Sequence, residues 1–311
     1  MKQLRFICAQ PAVKYYTWQV EVMINSFVEM GINPNQMDIL CSLENDVIPN
    51  DWKKLANKYP ARFFFYNDTR ISKIYIPSIY FNLMKQHILA NPEIKNDVLF
   101  THDADIIFTK KPDFSEMVSS DTWYLSDTKS YINYDYIQQK GNDIYEKMCE
   151  IVDIDKRIPK LMNNNSGGAQ YITKNTDYGF WDKVENDSVR LYEYFCSAEP
   201  YYVKKHESDY PIQKWTAGMW SFLWNAWYFG HETLIDKRLD FGWVTNGILD
   251  VERYTILHNA GVTKEMRENL FYKGDYVNEL PYGKPLNISK DRASSFYWER
   301  ICETAKKSAL I

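Results

Sequence analysis

What most narrows the fold of this chain is the order in which its apolar runs change period. Residues 4–9 read as a strand, and residues 16–30 carry a helical spacing that stops at Gly31. Residues 37–42 return to strand character. A short helix is expected at 51–58, with Asn50 as its cap and Pro60 beyond its end. A third strand at 62–66, a helix at 79–90 and a fourth strand at 97–100 complete the series. Strands and helices alternating at this spacing predict an α/β chain with a mostly parallel, doubly wound central sheet and helices on both faces. Ligands of such sheets bind beyond the carboxyl ends of the strands.

The second half is less regular. A strand is expected at 121–126, a polar aromatic loop at 131–136, and a loop through Gly167-Gly168 into a strand at 169–173. A helix at 178–194, a Trp-rich helix at 213–228, a short strand at 254–258 and a Lys-rich tail follow. No repeat, linker or low-complexity tract divides the 311 residues, which predicts one domain spanning 1–311.

Composition excludes several classes. The formal charge is −4, so no general basic field points to nucleic acid or anionic lipid. Five scattered cysteines with no Cys-X-X-Cys suggest neither zinc nor a disulfide framework, and Cys8 and Cys41 read as buried thiols. No apolar run reaches the length of a membrane span, and the start of the chain reads as a strand, not as a signal peptide. A soluble, cytoplasmic protein with no membrane partner is expected. Aromatic residues make up 16%, a density that suits stacking on sugars or bases as well as core packing.

The segment from Asp97 to Phe108 carries the clearest chemistry. Asp103 and Asp105 are one residue apart inside an apolar run, with Val98, Leu99 and Phe100 before them and Ile106, Ile107 and Phe108 after. On an extended strand, residues two apart face the same way. Two carboxylates aimed together at the end of a buried strand repel, and they are costly to desolvate without a cation between them. A hard divalent ion, Mn2+ or Mg2+, prefers such oxygen ligands. An Asp-X-Asp in a solvated loop is the competing explanation, and the apolar flanks weigh against it.

Five further segments bear on a site. His258 closes the apolar run before Asn259-Ala-Gly261, where a neutral imidazole could complete a metal site. Lys264 and Lys273 follow it as a candidate diphosphate clamp. Asn165, Gly167, Gly168 and Gln170 lie in a stretch that lets backbone approach a ligand and reads hydroxyls, or that simply makes a loop. Glu207, Asp209 and Gln213 precede the Trp-rich helix, as caps or as the lining of an acceptor pocket. Trp220 and Trp224 share one helical face, core first and sugar platform second. Gln10 and Pro11 follow the first strand, where a base or ribose would dock. Arg70 and Lys73 precede the 79–90 helix and could reach a diphosphate, or could be surface charge.

In this order, the first strand, Asp103-Ala-Asp105, Asn165-Ser-Gly-Gly168, the Trp-rich helix and Leu257-His-Asn-Ala-Gly261 resemble GT-A-fold glycosyltransferases. More narrowly they resemble the hydroxyproline O-arabinosyltransferase and peptidyl-serine galactosyltransferase group. The resemblance implies a UDP-sugar-dependent enzyme, with a nucleotide-sugar-binding half over 1–110 and an acceptor-binding half over 111–311. It implies that Asp103 contacts ribose or metal-bound water, that Asp105 ligates Mn2+, and that His258 is a further ligand. His102 and Asp103 join the expected nucleotide-sugar contacts. The group carries an acidic residue just before the Met of its Trp-rich helix. Gly218 stands there in this chain, which moves attention to Asp209, Glu207 and Gln213 as catalytic candidates.

The expected activity is metal-dependent transfer of a pentose or hexose from a UDP-sugar to an acceptor hydroxyl; the resemblance implies retention, whereas inversion would need a carboxylate base beside the acceptor, for which Asp209 is the candidate. The acceptor is a glycan, a peptide or a modified nucleobase. A DNA-modifying transferase acting on a hydroxymethylated base, a sugar nucleotidyltransferase and a non-catalytic sugar-binding module are the alternatives. The missing Gly-rich basic loop after the first strand weighs against a nucleotidyltransferase.

Overall fold

The structure is a computed structural model that describes residues 2–205 and 211–311; of residues 202–205, only the helical backbone is described. In chain order the elements are β1 (Leu4–Pro11), α1 (Lys14–Glu29), β2 (Met37–Leu43), α2 (Asn50–Lys58), β3 (Arg62–Asn67), α3 (Ser78–Ala90), β4 (Val98–Thr101), β5 (Ile106–Phe108) and α4 (Ser115–Ser119). They continue with β6 (Trp123–Asp127), α5 (Tyr134–Lys140), α6 (Asn142–Val152), α7 (Arg157–Leu161), β7 (Gly167–Lys174), α8 (Tyr178–Lys205) and α9 (Ala217–Tyr228). Then come β8 (Thr233–Ile235), β9 (Phe241–Trp243), α10 (Asp250–Arg253), β10 (Ile256–His258) and α11 (Ala293–Lys307). The expected strand–helix alternation of an α/β chain is present, and parallel strand pairs outnumber antiparallel ones.

The chain folds as two compact units, each assembled from separated stretches. The first unit comprises Leu4–Asn67, Thr101–Ser115 and Arg238–Ile311. Its strands β3, β2 and β1 lie side by side in that order, all parallel. Every residue of β2 is buried, the pattern of a strand covered on both faces. Asp38 on β2 is buried and is held by the forked guanidinium of Arg62, whose Nε lies 2.6 Å away. A second small sheet runs β5-β10-β9, with β10 antiparallel to β5 and parallel to β9. A core of Trp18, Val22, Ile107, Leu257, Phe271, Tyr297 and Ile301 ties this sheet to α1 and α11.

The second unit comprises Asp68–Phe100 and Glu116–Lys237, with the first residues of the chain. Its strands run β4-β7-β6-β8. Helix α9 is buried nearly all round, as a helix apolar on every side must be. Trp220 and Trp224 are among its core residues, so the shared face expected of them is packing surface. Among the described residues, no helix is long and apolar enough to cross a membrane.

Several local expectations are corrected. Pro49, not Asn50, is the residue before α2, and Asn50 is already helical. The expected loop at 131–136 begins helix α5, capped by the Asn133 side chain, which accepts from the Tyr136 amide at 2.7 Å. Gly167 and Gly168 lie inside β7, not in a loop before it. The start of the Trp-rich helix is a single 3₁₀ turn at Lys214–Thr216. The expected Lys-rich tail contains the fifteen-residue helix α11, which buries Ala293, Tyr297 and Ile301 while Lys306 and Lys307 end it.

Candidate active site

Asp103 and Asp105 do not lie on an extended strand. Strand β4 ends at Thr101, and a tight turn through Ala104 and Asp105 leads into β5. The turn, not strand alternation, brings the two carboxylates to one side. Apolar burial holds it in place, because Phe100 before it and Ile106–Phe108 after it are all buried. The His102 amide donates to the Ile7 carbonyl of β1 at 3.0 Å, so the turn starts beside the first strand.

Strand β10 supplies the third group. His258 pairs in register with Ile106 on β5 and with Trp243 on β9. Its Nε2 lies 3.2 Å from Asp105 Oδ1 and 3.5 Å from Asp103 Oδ2. The Asn259 amide donates to the Asp105 carbonyl at 3.0 Å, which locks the strand end to the turn. Lys273 reaches the same place, its Nζ donating to Asp105 Oδ2.

Exposure separates the two carboxylates. The Asp105 side chain is 6% exposed, whereas that of Asp103 is 57% exposed and faces solvent. Burial alone would raise the Asp105 pKa, but the Lys273 ammonium and then His258 outweigh it and hold the carboxyl well below the usual range. Burial opposes charging of His258, yet the Asp105 and Asp103 carboxylates carry its pKa above the ordinary imidazole value. Burial likewise works against the Lys273 ammonium, and Asp105 raises its pKa regardless.

One carboxylate oxygen from each Asp and one ring nitrogen of His258 lie within 4.8 Å of one another. That spread suits ligands around one ion, and two carboxylates with an imidazole form a donor set for Mn2+ or Mg2+. The three expected metal ligands are therefore brought together, and Lys273 joins them. Lys264 sits in a short 3₁₀ turn, Lys264–Met266, and is exposed.

The other expected residues have these places. His102 is buried, its Nδ1 sits 2.8 Å from the Asp103 carbonyl, and burial pushes its pKa down to about 4. It packs on Phe27 as a neutral core ring. Gln10 lies within β1, its Nε2 donating to the Leu40 carbonyl at 2.9 Å, so it bridges two strands. Arg70 is bound to Asp68 at 2.9 Å and donates to the carbonyls of Tyr75 and Ile76; Lys73 pairs with Asp68 at 3.1 Å. Both cations are thus engaged within their own loop of the second unit.

The glycine-rich stretch is used for packing. A Cβ on Gly167 would fall 2.3 Å from the Ser126 carbonyl, and one on Gly168 would fall 2.6 Å from Met219 Cε. After them Ala169 takes a left-handed φ of 70°, and the register of β6 on β7 shifts there as a bulge. Gln170 is buried, and its Oε1 accepts from Ser126 Oγ at 2.8 Å. Asn165 ends a 3₁₀ turn, its carbonyl accepting from Thr233 Oγ1 at 3.1 Å. Gln213 is exposed, and its amide donates to the Tyr136 hydroxyl at 3.3 Å. Glu207 and Asp209 lie outside the described residues. Gly218 has a packing reason: a Cβ would meet the Phe81 ring and the Tyr75 hydroxyl at 3.0 Å, leaving no space for an acidic side chain.

Two tyrosines near the cluster were not read from sequence. Tyr16 is pushed up to about 12, first by burial, then by Tyr15 and the charges of Asp105 and Asp103. Tyr15 packs edge-on against it, with ring centroids 4.9 Å apart. The signal in the sequence is their place just past the carboxyl end of β1, where ligands of such sheets bind.

No family model matches the sequence, and no curated protein matches it. Solved structures do. The WbbM bifunctional glycosyltransferase in its apo form matches at a TM-score of 0.52 and 9% identity, covering 99% of this chain and 52% of that one. The chain thus spans about half the length of WbbM. Looser likenesses are the galactosyltransferase LgtC in complex with donor and acceptor sugar analogs (TM-score 0.42, 11% identity, 97% and 95% covered) and GlyE of Streptococcus pneumoniae TIGR4 (TM-score 0.45, 10% identity, 99% and 63% covered). The fold is GT-A-like, as expected.

Proposed function

We propose that this protein is a metal-dependent glycosyltransferase that moves a pentose or hexose from a UDP-sugar to an acceptor hydroxyl. The observation that carries this is the meeting of Asp103, Asp105 and His258 from two distant stretches, on a GT-A-like fold. A divalent cation bound there supplies charge neutralisation and orientation for the departing diphosphate. Asp105 would be the buried, ionised ligand, and Asp103 the solvent-facing one that would meet the donor. His258 supplies the third ligand atom as a neutral ring. Lys273, beside Asp105, would add positive charge toward the leaving phosphate. Tyr15 and Tyr16 offer ring faces for the base. Transfer proceeds with retention, the leaving phosphate oxygen accepting the acceptor proton, so no carboxylate base is required. The acceptor is a glycan, a peptide or a modified nucleobase.

The test is a panel of UDP-sugars incubated with Mn2+ and read as UDP release. One donor should be turned over, activity should vanish with chelator and return with Mn2+, and Asp105→Ala should lose at least about a hundredfold. Turnover that survives both chelation and Asp105→Ala contradicts the proposal.

A further inference from the structure

Metal-ligating histidines ordinarily have the second ring nitrogen hydrogen-bonded, which fixes the ring plane and tautomer. His258 lacks that support. Its Nδ1 is buried with no hydrogen-bond partner among the described residues, and its side chain is 9% exposed, so water does not stand in freely. Yet the ring is aimed so that Nε2 faces both carboxylates, at 3.2 and 3.5 Å. Something other than a hydrogen bond sets its plane.

The neighbouring strand supplies it. Trp243 on β9 stands directly beside His258 in the parallel β9–β10 register. The two rings are stacked, with centroids 5.3 Å apart and planes inclined by 17°. Phe241, two residues earlier on the same face of β9, closes on the imidazole at 5.6 Å and 59° and also packs edge-on against Trp243 at 4.9 Å. Rotation of His258 about its Cβ–Cγ bond would drive the imidazole into this aromatic wall. The Gly242 between the two aromatics is buried, and a Cβ there would fall 3.1 Å from Tyr254, so β9 is seated closely.

We infer that Trp243 is a positioning residue of the metal site: its indole face, backed by Phe241, orients the His258 imidazole toward the ion in place of a second hydrogen bond. This rests on the proposed Asp103–Asp105–His258 metal site and adds the element that makes His258 a competent ligand. A flat aromatic surface is what the role requires. Phe at 243 should therefore keep most of it, and Leu, which fills space without a plane, should not.

The experiment measures Mn2+ affinity directly, by the EPR signal of free Mn2+, in wild type, Trp243→Phe, Trp243→Leu, His258→Ala and the His258→Ala/Trp243→Leu double variant. The ring signals of His258 are followed in parallel by 1H–13C NMR, a tractable set because the chain has five histidines. Trp243→Leu should weaken Mn2+ binding by about tenfold or more, the scale of lost ligand support. It should also move the His258 ring protons downfield as the indole ring current is lost. Trp243→Phe should bind within about threefold of wild type. In the His258→Ala background, Trp243→Leu should cost nothing further. Mn2+ binding by Trp243→Leu equal to wild type overturns the inference, as does the same loss in the His258→Ala background, which would mark a general packing defect. A wild-type chain that binds no Mn2+ overturns the proposed function itself, a result distinct from either.

Discussion

At the scale of single residues, the cluster is a set of opposed charges whose balance depends on pH. Asp105 has a lowered pKa in the folded protein, so its stabilising pairing is complete above the ordinary carboxylate value and is lost as pH falls below it. His258 has a raised pKa, so its contribution is complete below the ordinary imidazole value and is lost as pH rises through the folded one. Without metal, the cluster should therefore stabilise the fold most between about pH 4 and about pH 6.5. His258→Gln should abolish the alkaline-side decline, seen as urea midpoints compared at about pH 5 and about pH 8 with chelator present. An unchanged pH dependence in that variant would sink the assignment. Asp103, Asp105 and His258 stood out in the sequence because charged or titratable residues beside apolar runs are few, whereas Lys273, expected only as a diphosphate clamp, lies in a 3₁₀ turn and its pairing with Asp105 had no local signal. Tyr15, Tyr16 and Trp243 were not, since an aromatic residue in a chain with 24 tyrosines and 10 tryptophans carries no label of its own.

At the scale of elements, the sequence was read well where apolar periodicity was strong and poorly where burial came from partners far along the chain. β1, β2, β3 and α3 were expected within two residues of where they stand. Helix α11 was missed as an element because its buried residues, Ala293, Tyr297 and Ile301, are few and find their partners far along the chain, on α1 and β10. Its end is fastened too: the buried Glu21 on α1 accepts from Ser308 Oγ at 2.6 Å, from the Ala309 amide at 2.7 Å and from the hydroxyls of Tyr59 and Tyr282. Ile301→Ala should consequently lose about 3 kcal/mol, the cost of emptying a closed site. Chemical denaturation checks this, and a loss under about 0.5 kcal/mol would mean that the helix is only loosely attached. The glycines of β7 were misread for a related reason. The Gly167-Gly168 pair is compatible with a loop, and only the neighbouring Ser126 carbonyl and Met219 side chain show that close packing uses the space.

At the scale of the whole molecule, a bound ion should act as a fold-stabilising ligand by mass action. Mn2+ at a hundred times its dissociation constant adds about 2.7 kcal/mol. A scanning calorimetry transition should then rise by about 5 °C for the unit that holds the site, and Asp105→Ala should lack the rise. Equal rises in both proteins would place the ion elsewhere. The sequence by itself determined the α/β class, the order of the early strands and helices, and the carboxylate pair with its candidate partner His258. These follow from local properties: the period of apolar residues, and the cost of like charges beside buried strands. Only the tertiary structure decided that a turn, not a strand, aims the two carboxylates, that Lys273 closes on Asp105, and that Trp243 braces the histidine. Those depend on which distant stretches burial draws together, and on the register in which β5, β10 and β9 then pair, which no local pattern specifies.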